Sequence, residues 1–159
     1  MNIWCINDWT KYYGLSIYRK GLRVRYDPFL DQEVERAIKE FIAWLRTEYV
    51  FPKRVRVYIK SVRRIRSKAG DLVCGTFFRP ADRNAEPYIC IATGDYLELV
   101  KKHGKDNALA KIIWSIAHEL THYFQWLNDL NLTLIGEERQ ATNYASNILY
   151  DYSQTRDHP

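Results

Sequence analysis

Hydrophobic residues recur along the chain at two periods, and these predict strands and helices in alternation. Residues 21–26 and 54–60 alternate apolar and polar side chains, as in a strand with one solvated face. Between them, apolar positions three and four residues apart predict a helix over about 29–49, with Asp27 as its N-cap and Pro28 at its first position. The first third of the chain therefore reads as strand, helix, strand.

The rest of the chain continues with two β-rich segments and two helices. Residues 72–78 and 88–93 are rich in β-branched and aromatic side chains and are joined by a polar segment. The periodic apolar residues of the next helix are Leu109, Ile112, Ile113, Ile116, Leu120, Phe124 and Leu127. Asp106 or Asn107 is a candidate cap, and a last helix runs from Gly136 to about Tyr150. Strand, helix, three strands, helix, helix is the order of an α+β domain with a small twisted sheet.

The first of these two helices carries the motif His118-Glu119-Leu120-Thr121-His122. Residues four apart lie on one helical face, so both imidazoles can reach one Zn²⁺. Glu119 lies beside them, where its carboxylate can reach a water on the metal. This HExxH pattern is typical of zinc metallopeptidases, in which the Glu is the general base. A pair of ordinary, partly buried histidines is the alternative, although only four His occur in the chain.

A catalytic zinc site usually has three protein ligands and leaves a fourth position to water. Gln125 and Asn128 occupy the places where a metzincin-like pattern needs Gly and a third ligand, and the next histidine after His122 is His158. Glu138 opens the last helix sixteen residues after His122, which leaves room for a turn and an antiparallel return.

Glu138 is favoured over its neighbour Glu137 as the third ligand. Small and apolar side chains follow Glu138 at helical spacing, at Ala141, Ala145 and Leu149, so this face can pack closely on the HExxH helix. Glu137 projects about 100° away and is expected to be solvated near the positive end of the helix dipole. For Glu138, the same N-terminal charge role is the alternative.

With Glu138-x-x-Ala141-x-x-Tyr144-Ala145 after HExxH, the chain resembles the gluzincin clan of zinc peptidases, and especially minigluzincins and ImmA/IrrE-type peptidases. The resemblance covers roughly residues 72–150. It implies a zincin-like fold in which His118, His122 and Glu138 bind zinc and Glu119 activates the zinc-bound water. Thr142 departs from the pattern, because many relatives have Asp or Asn there to buttress a histidine.

The resemblance implies a zinc-dependent endopeptidase acting on peptide or protein substrates. A zincin sheet has an edge strand along the cleft, where an extended peptide can add as a further strand. The donor that stabilises the oxyanion is open, with four candidates: Tyr88, His103, Tyr144 and Tyr150.

The whole chain reads as one domain over 1–159. A length of 159 residues with 47% hydrophobic content can build one core. Its expected parts are an N-terminal helix and strands over 1–71, a metal-binding core over 72–150 and a tail over 151–159. The polar tail starts near the metal helix, so it is either a frayed terminus or a latency segment that offers Asp157 or His158 to the zinc.

Basic charge is concentrated in residues 53–68, which hold eight Lys or Arg and no acid within a net charge of +5. A solvated strand face and loop explains this stretch. A surface for nucleic acid or for an acidic protein is the alternative, with Tyr12, Tyr13, Tyr18 and Tyr26 as possible base-stacking residues. Two other classes of function therefore remain: a DNA-associated zincin-like protein that acts on nucleic-acid-bound proteins, and a non-catalytic zinc-binding interaction module.

A cytoplasmic, reduced environment is expected. No apolar run approaches the roughly 20 residues that span a membrane, and the first eight residues lack a secretory signal pattern. The three cysteines, Cys5, Cys74 and Cys90, are odd in number and widely spaced, which favours free thiols over a disulfide framework.

Overall fold

The computed structural model describes residues 2–5 and 20–159, which form a mixed α+β structure with a small mixed sheet. In chain order the described elements are β1 (Lys20–Tyr26), α1 (Gln32–Glu48), β2 (Phe51–Lys60), β3 (Ile65–Arg66), β4 (Leu72–Val73), β5 (Gly75–Phe78), β6 (Tyr88–Ala92), α2 (Tyr96–His103), α3 (Lys105–Leu127) and α4 (Leu134–Ser153). The expected α+β class is confirmed. Within the described ranges, no helix is long and apolar enough to cross a lipid bilayer.

Four strands form the main sheet in the order β1-β2-β6-β5. β1, β2 and β6 are parallel, and β5 pairs antiparallel with β6 at the edge. The single strand expected over 72–78 is wrong, because the chain divides at Cys74: β4 pairs with β3 in a separate two-stranded ribbon, and β5 joins the main sheet. β3 was missed because two residues carry no readable period. All three cysteines are free.

The helix after β1 begins later than its sequence pattern indicated. Asp31, and not Asp27, is the N-cap of α1, and its side chain accepts from the backbone N–H of Glu33. Asp27 instead accepts from the N–H of Phe29 and from both the N–H and the hydroxyl of Ser61. It therefore ties the end of β1 to the end of β2.

Helix α3 runs through the centre of the core. Every residue from 119 to 127 is buried, and Leu120 and Phe124 have no exposed surface. The inner face of the sheet supplies Val55, Val57 and Ile59 to the same core, in the alternation expected of a strand covered on one side. A helix held on nearly all sides positions its remaining polar groups rigidly.

Helix α2 is an addition to the expected element order, and it changes the start of α3. It ends at Gly104, whose φ of 85° suits glycine, and α3 begins at the next residue. The cap expected at Asp106 or Asn107 is therefore wrong, since both residues lie in the first turn of α3. Eight residues are too few to show a clear helical period in the sequence.

Of the four tyrosines considered as base-stacking residues, Tyr26 lies in the described part of the chain. Tyr26 is half-buried against the core, and this burial raises its pKa to about 12. Tyr12, Tyr13 and Tyr18 lie outside the described residues.

The hydrogen bonds to Asp27 generate a prediction for stability against pH. They hold the pKa of this carboxyl below its usual value, first through Phe29 N–H and then through Ser61. A lowered pKa in the folded state stabilises the protein above the unfolded pKa of about 3.9, and this contribution disappears as the pH falls through the folded pKa. We expect Asp27→Asn to unfold more readily than wild type at pH 7, with the difference shrinking below about pH 4. Urea unfolding at pH 7 and pH 3 measures this, and a difference independent of pH contradicts it.

Candidate metal centre

Two helices bring three possible metal ligands to one point. His118 and His122 lie one turn apart on α3, and their ring centroids are 5.0 Å apart. Helix α4 returns along α3 and is capped by Thr133, whose hydroxyl accepts from Gly136 N–H. Ala141 and Ala145 are fully buried, so the two helices approach closely and the N-terminal part of α4 reaches the histidines.

The carboxylate of Glu138 faces both imidazoles. Its Oε2 lies 3.2 Å from Nε2 of His118, and its Oε1 lies 3.2 Å from Nε2 of His122. The three potential ligand atoms all lie within 4.8 Å of one another. Among the described residues, the three expected ligands therefore form a cluster that could hold a metal ion. The Glu138 side chain is 64% exposed, so the site is open to solvent on this side.

His122 is oriented by a residue that the motif analysis did not select. Its Nδ1 lies 2.7 Å from Oε1 of Gln125, and Nε2 of Gln125 donates to the backbone carbonyl of Glu137 and to Oε1 of Gln140. These two acceptors direct the amide oxygen toward His122, so Nδ1–H donates and Nε2 presents its lone pair to the cluster. The signal was present in the sequence, because positions 122 and 125 share a helical face.

His118 has a different environment. Its Nδ1 is buried without a hydrogen-bond partner among the described residues. The ring of Trp114 lies 5.0 Å from its ring, centroid to centroid. Burial lowers the pKa of His118, and the nearby His122 lowers it further, against an opposing effect of Glu138. The His118 ring is therefore held mainly by packing against Trp114.

Glu119 is buried between α3 and the edge strand β5. The backbone N–H of Phe77 donates to its carboxylate, and an added Cβ on Gly75 would lie 3.1 Å from its Cγ. Glycine at 75 therefore allows the strand to approach this side chain closely. Burial raises the pKa of Glu119 to about 8, the charge of Glu138 adds to the rise, and the Phe77 hydrogen bond opposes it.

Glu137 is largely buried, although its helical position predicted a solvated side chain. Both terminal nitrogens of Arg79 lie 3.2 Å from Oε1 of Glu137, and the Glu137 side chain is only 12% exposed. Arg79 follows β5 directly, so this ion pair joins the strand side of the cleft to α4. This ion pair was not predicted, because Arg79 is 58 residues away from Glu137 and leaves no local pattern in the sequence.

The cluster opens into a cavity of about 630 Å³. Its floor is α3, with His118 and Glu119, one wall is β5 and the opposite wall is the start of α4 with Leu134. None of the four oxyanion candidates lines this cavity. Apart from the two histidines, the described lining residues with side-chain donors are Ser67, Cys74, Thr76, Arg79, Trp114 and Ser115.

The tail lies away from the cluster. His158 Nδ1 is 2.7 Å from Asp106 Oδ2, and Arg156 pairs with Glu40 at 3.1 Å. Asp106 is at the start of α3, about 18 Å along the helix from His118 at 1.5 Å per residue. In the structure the tail neither covers the metal ligands nor ends without contacts, because Arg156 pairs with Glu40 of α1 and His158 contacts Asp106 of α3.

Comparison with models of known protein families, with curated proteins and with solved structures finds no match to this chain. The gluzincin resemblance therefore rests on two motifs, the HExxH stretch and the segment that starts at Glu138. It remains a proposal, and the arrangement of the described side chains is what supports it.

The Gln125 contact predicts an effect on metal affinity. Gln125→Leu keeps a similar volume but removes the acceptor for His122 Nδ1–H, so we expect zinc to bind about 10- to 100-fold more weakly. Competition with a chelating dye measures the affinity. Thr142→Ala is the matched control, because Thr142 is exposed on α4 and makes no contact with either histidine in the structure. If only Thr142→Ala lost zinc affinity, Thr142 and not Gln125 would be the residue that supports a histidine.

Proposed function

We propose that this protein is a zinc-dependent peptidase of the zincin type, related to the gluzincin clan. The observation that carries the proposal is the convergence of His118, His122 and Glu138 within 4.8 Å, with the carboxylate of Glu119 beside them in one cleft. Two imidazoles and one carboxylate are a ligand set of catalytic zinc sites, which leave a further position open. The exposure of Glu138 and the cavity above it are consistent with such an opening.

The residues fit a bound zinc ion. Each Nε2 atom lies 3.2 Å from one oxygen of the Glu138 carboxylate, and His118, His122 and Glu138 would hold a shared cation. Gln125 supports His122 through the nitrogen that points away from the cluster, as metal-binding histidines usually require. Nitrogen and oxygen donors suit divalent transition metals in general, and the HExxH pattern is what favours zinc among them.

Glu119 is the residue placed to move a proton. Zinc, when bound, would acidify a coordinated water and polarise the scissile carbonyl. The Glu119 carboxylate would take a proton from the attacking water and pass it to the leaving amine. Phe77 N–H and the close approach of Gly75 hold this carboxylate in the cleft wall, which restricts its motion during the transfer.

The edge strand supports a peptide as the substrate. β5 pairs with β6 on one side only, and its other edge lines the cavity above Glu119. An extended peptide can pair with this edge through backbone hydrogen bonds, which carry little sequence preference. The Arg79–Glu137 ion pair lies at the end of the strand, where it limits the space available to the substrate.

The metal assignment is tested by its ligands. We expect purified protein to bind about one zinc per chain, and the double variant His118→Ala, His122→Ala to lose it. Glu138→Ala should weaken zinc binding more than Glu137→Ala, because Glu138 faces the histidines and Glu137 pairs with Arg79. Elemental analysis after dialysis against a weak chelator measures the occupancy. Full occupancy of the double variant contradicts the site, and the reverse order of the two glutamates contradicts the third ligand.

The role of Glu119 separates hydrolysis from metal binding. Glu119→Gln keeps the shape of the side chain but removes its basicity, so zinc should stay while peptide hydrolysis falls by at least about 100-fold. A mixed peptide library analysed by mass spectrometry gives the rate, and zinc content serves as the control. Cleavage at the wild-type rate rules out the proposed base. A wild-type protein that binds zinc but cleaves no peptide in the library supports the non-catalytic module instead.

A further inference from the structure

The main sheet has a second face, turned away from the core, that takes no part in the cleft floor. Along β2, the residues between the buried Val55, Val57 and Ile59 are only partly buried and point to this side. The strand register extends the surface across all four strands. One row consists of Arg23, Arg56, Tyr88 and Phe78. The next row consists of Arg25, Tyr58, Cys90 and Thr76, and we call these two rows the outer sheet face.

The outer sheet face is strongly basic on its β1–β2 half. The four strands contain no Asp or Glu at any position. Glu86, just before β6, lies 3.1 Å from Arg56 and 3.5 Å from Arg54, so one carboxylate is shared by two guanidinium groups. Arg23 and Arg25 are exposed on the neighbouring strand. This net positive charge makes a polyanion the complementary partner.

Aromatic rings occupy the other half of the outer sheet face, on β5 and β6, together with the adjoining Tyr58 of β2. Phe78 and Tyr88 are stacked, with centroids 4.4 Å apart and 15° between their planes, and Tyr58 meets Tyr88 edge-on at 6.0 Å. Tyr88 is 40% exposed. A cavity of about 240 Å³ lies among Tyr58, Tyr88, Cys90 and Lys60. Planar groups beside cations fit a ligand that is both aromatic and anionic.

We propose that the outer sheet face binds single-stranded nucleic acid. Bases stack on Tyr58 and Tyr88, and the phosphates contact Arg23, Arg25 and Arg56. A duplex is disfavoured, because its bases already stack on one another and are not available to the tyrosine rings. An acidic protein would use the arginines but would leave the aromatic half without a matching group. This binding is separate from the proposed peptide hydrolysis and does not depend on a metal.

The binding test uses fluorescence anisotropy with a labelled strand of about 16 nucleotides, the upper range of sites for comparable modules. DNA and RNA strands of one sequence, and the matching DNA duplex, are compared at several salt concentrations. We expect both single strands to bind more tightly than the duplex, and the ratio of DNA to RNA affinity to show which is preferred. With three phosphate contacts, the logarithm of the affinity should fall with the logarithm of salt concentration at a slope of about −2.

Substitutions distinguish the contribution of base stacking to the affinity from the contribution of the phosphate contacts. Tyr88→Ala should weaken binding about ten-fold with an unchanged salt slope, and Tyr88→Phe should restore most of the affinity because the ring remains. The double variant Arg23→Gln, Arg56→Gln should make the salt dependence less steep by about 1.4, because two phosphate contacts are lost. Lys101→Gln with Lys102→Gln on α2 removes the same charge from exposed positions of the helix layer and should change neither quantity. Thermal unfolding confirms that each variant is folded.

Three results would overturn the proposal. The first is no binding of either single strand at low salt. The second is duplex binding as tight as that of single strands. The third is full affinity in Tyr88→Ala together with equal competition by polyglutamate, which would mean that the surface recognises negative charge alone, as in an acidic protein partner.

Discussion

The burial of α3 through the centre of the core is the constraint on which the candidate site depends. The residues that follow Glu119 on this helix are packed on nearly every side, so the helix cannot rotate without disrupting the core. Its remaining face carries His118 and His122 into the cleft. Gln125, on the next turn, is also fully packed and holds one of these rings. Helix packing therefore fixes the histidines before any metal binds, and such preorganisation favours a tight metal site.

The cleft also holds two carboxyl groups that cannot both ionise easily without a cation. Glu119 and Glu138 both lie beside the two imidazoles, and the burial of Glu119 raises the pKa of its carboxyl to about 8. A divalent cation between the histidines and Glu138 would offset this unfavourable arrangement. The outer sheet face shows the opposite imbalance, with arginines in excess. This excess of arginines contributes to the net charge of +5.

The sequence predicted the helix periods, the α+β class and the residues that meet at the cluster, because each leaves a regular spacing along the chain. Glu138 could be selected from the small residues that follow it, since close helix packing needs them. Gln125 was missed because it was tested only against a metal-ligand pattern and not as a partner of His122. The Arg79–Glu137 pair and the break at Cys74 depend on strand pairing between distant residues, which no local period encodes.

The most direct test of the central claim is a crystal structure of the zinc-soaked protein with data collected on both sides of the zinc absorption edge. The account predicts one strong anomalous peak in contact with Nε2 of His118, Nε2 of His122 and the Glu138 carboxylate. It also predicts that the Glu119 carboxylate lies too far from this peak to be a metal ligand. An absence of density there, or a peak held by cysteine or by the His158–Asp106 pair, would contradict the proposed metal centre.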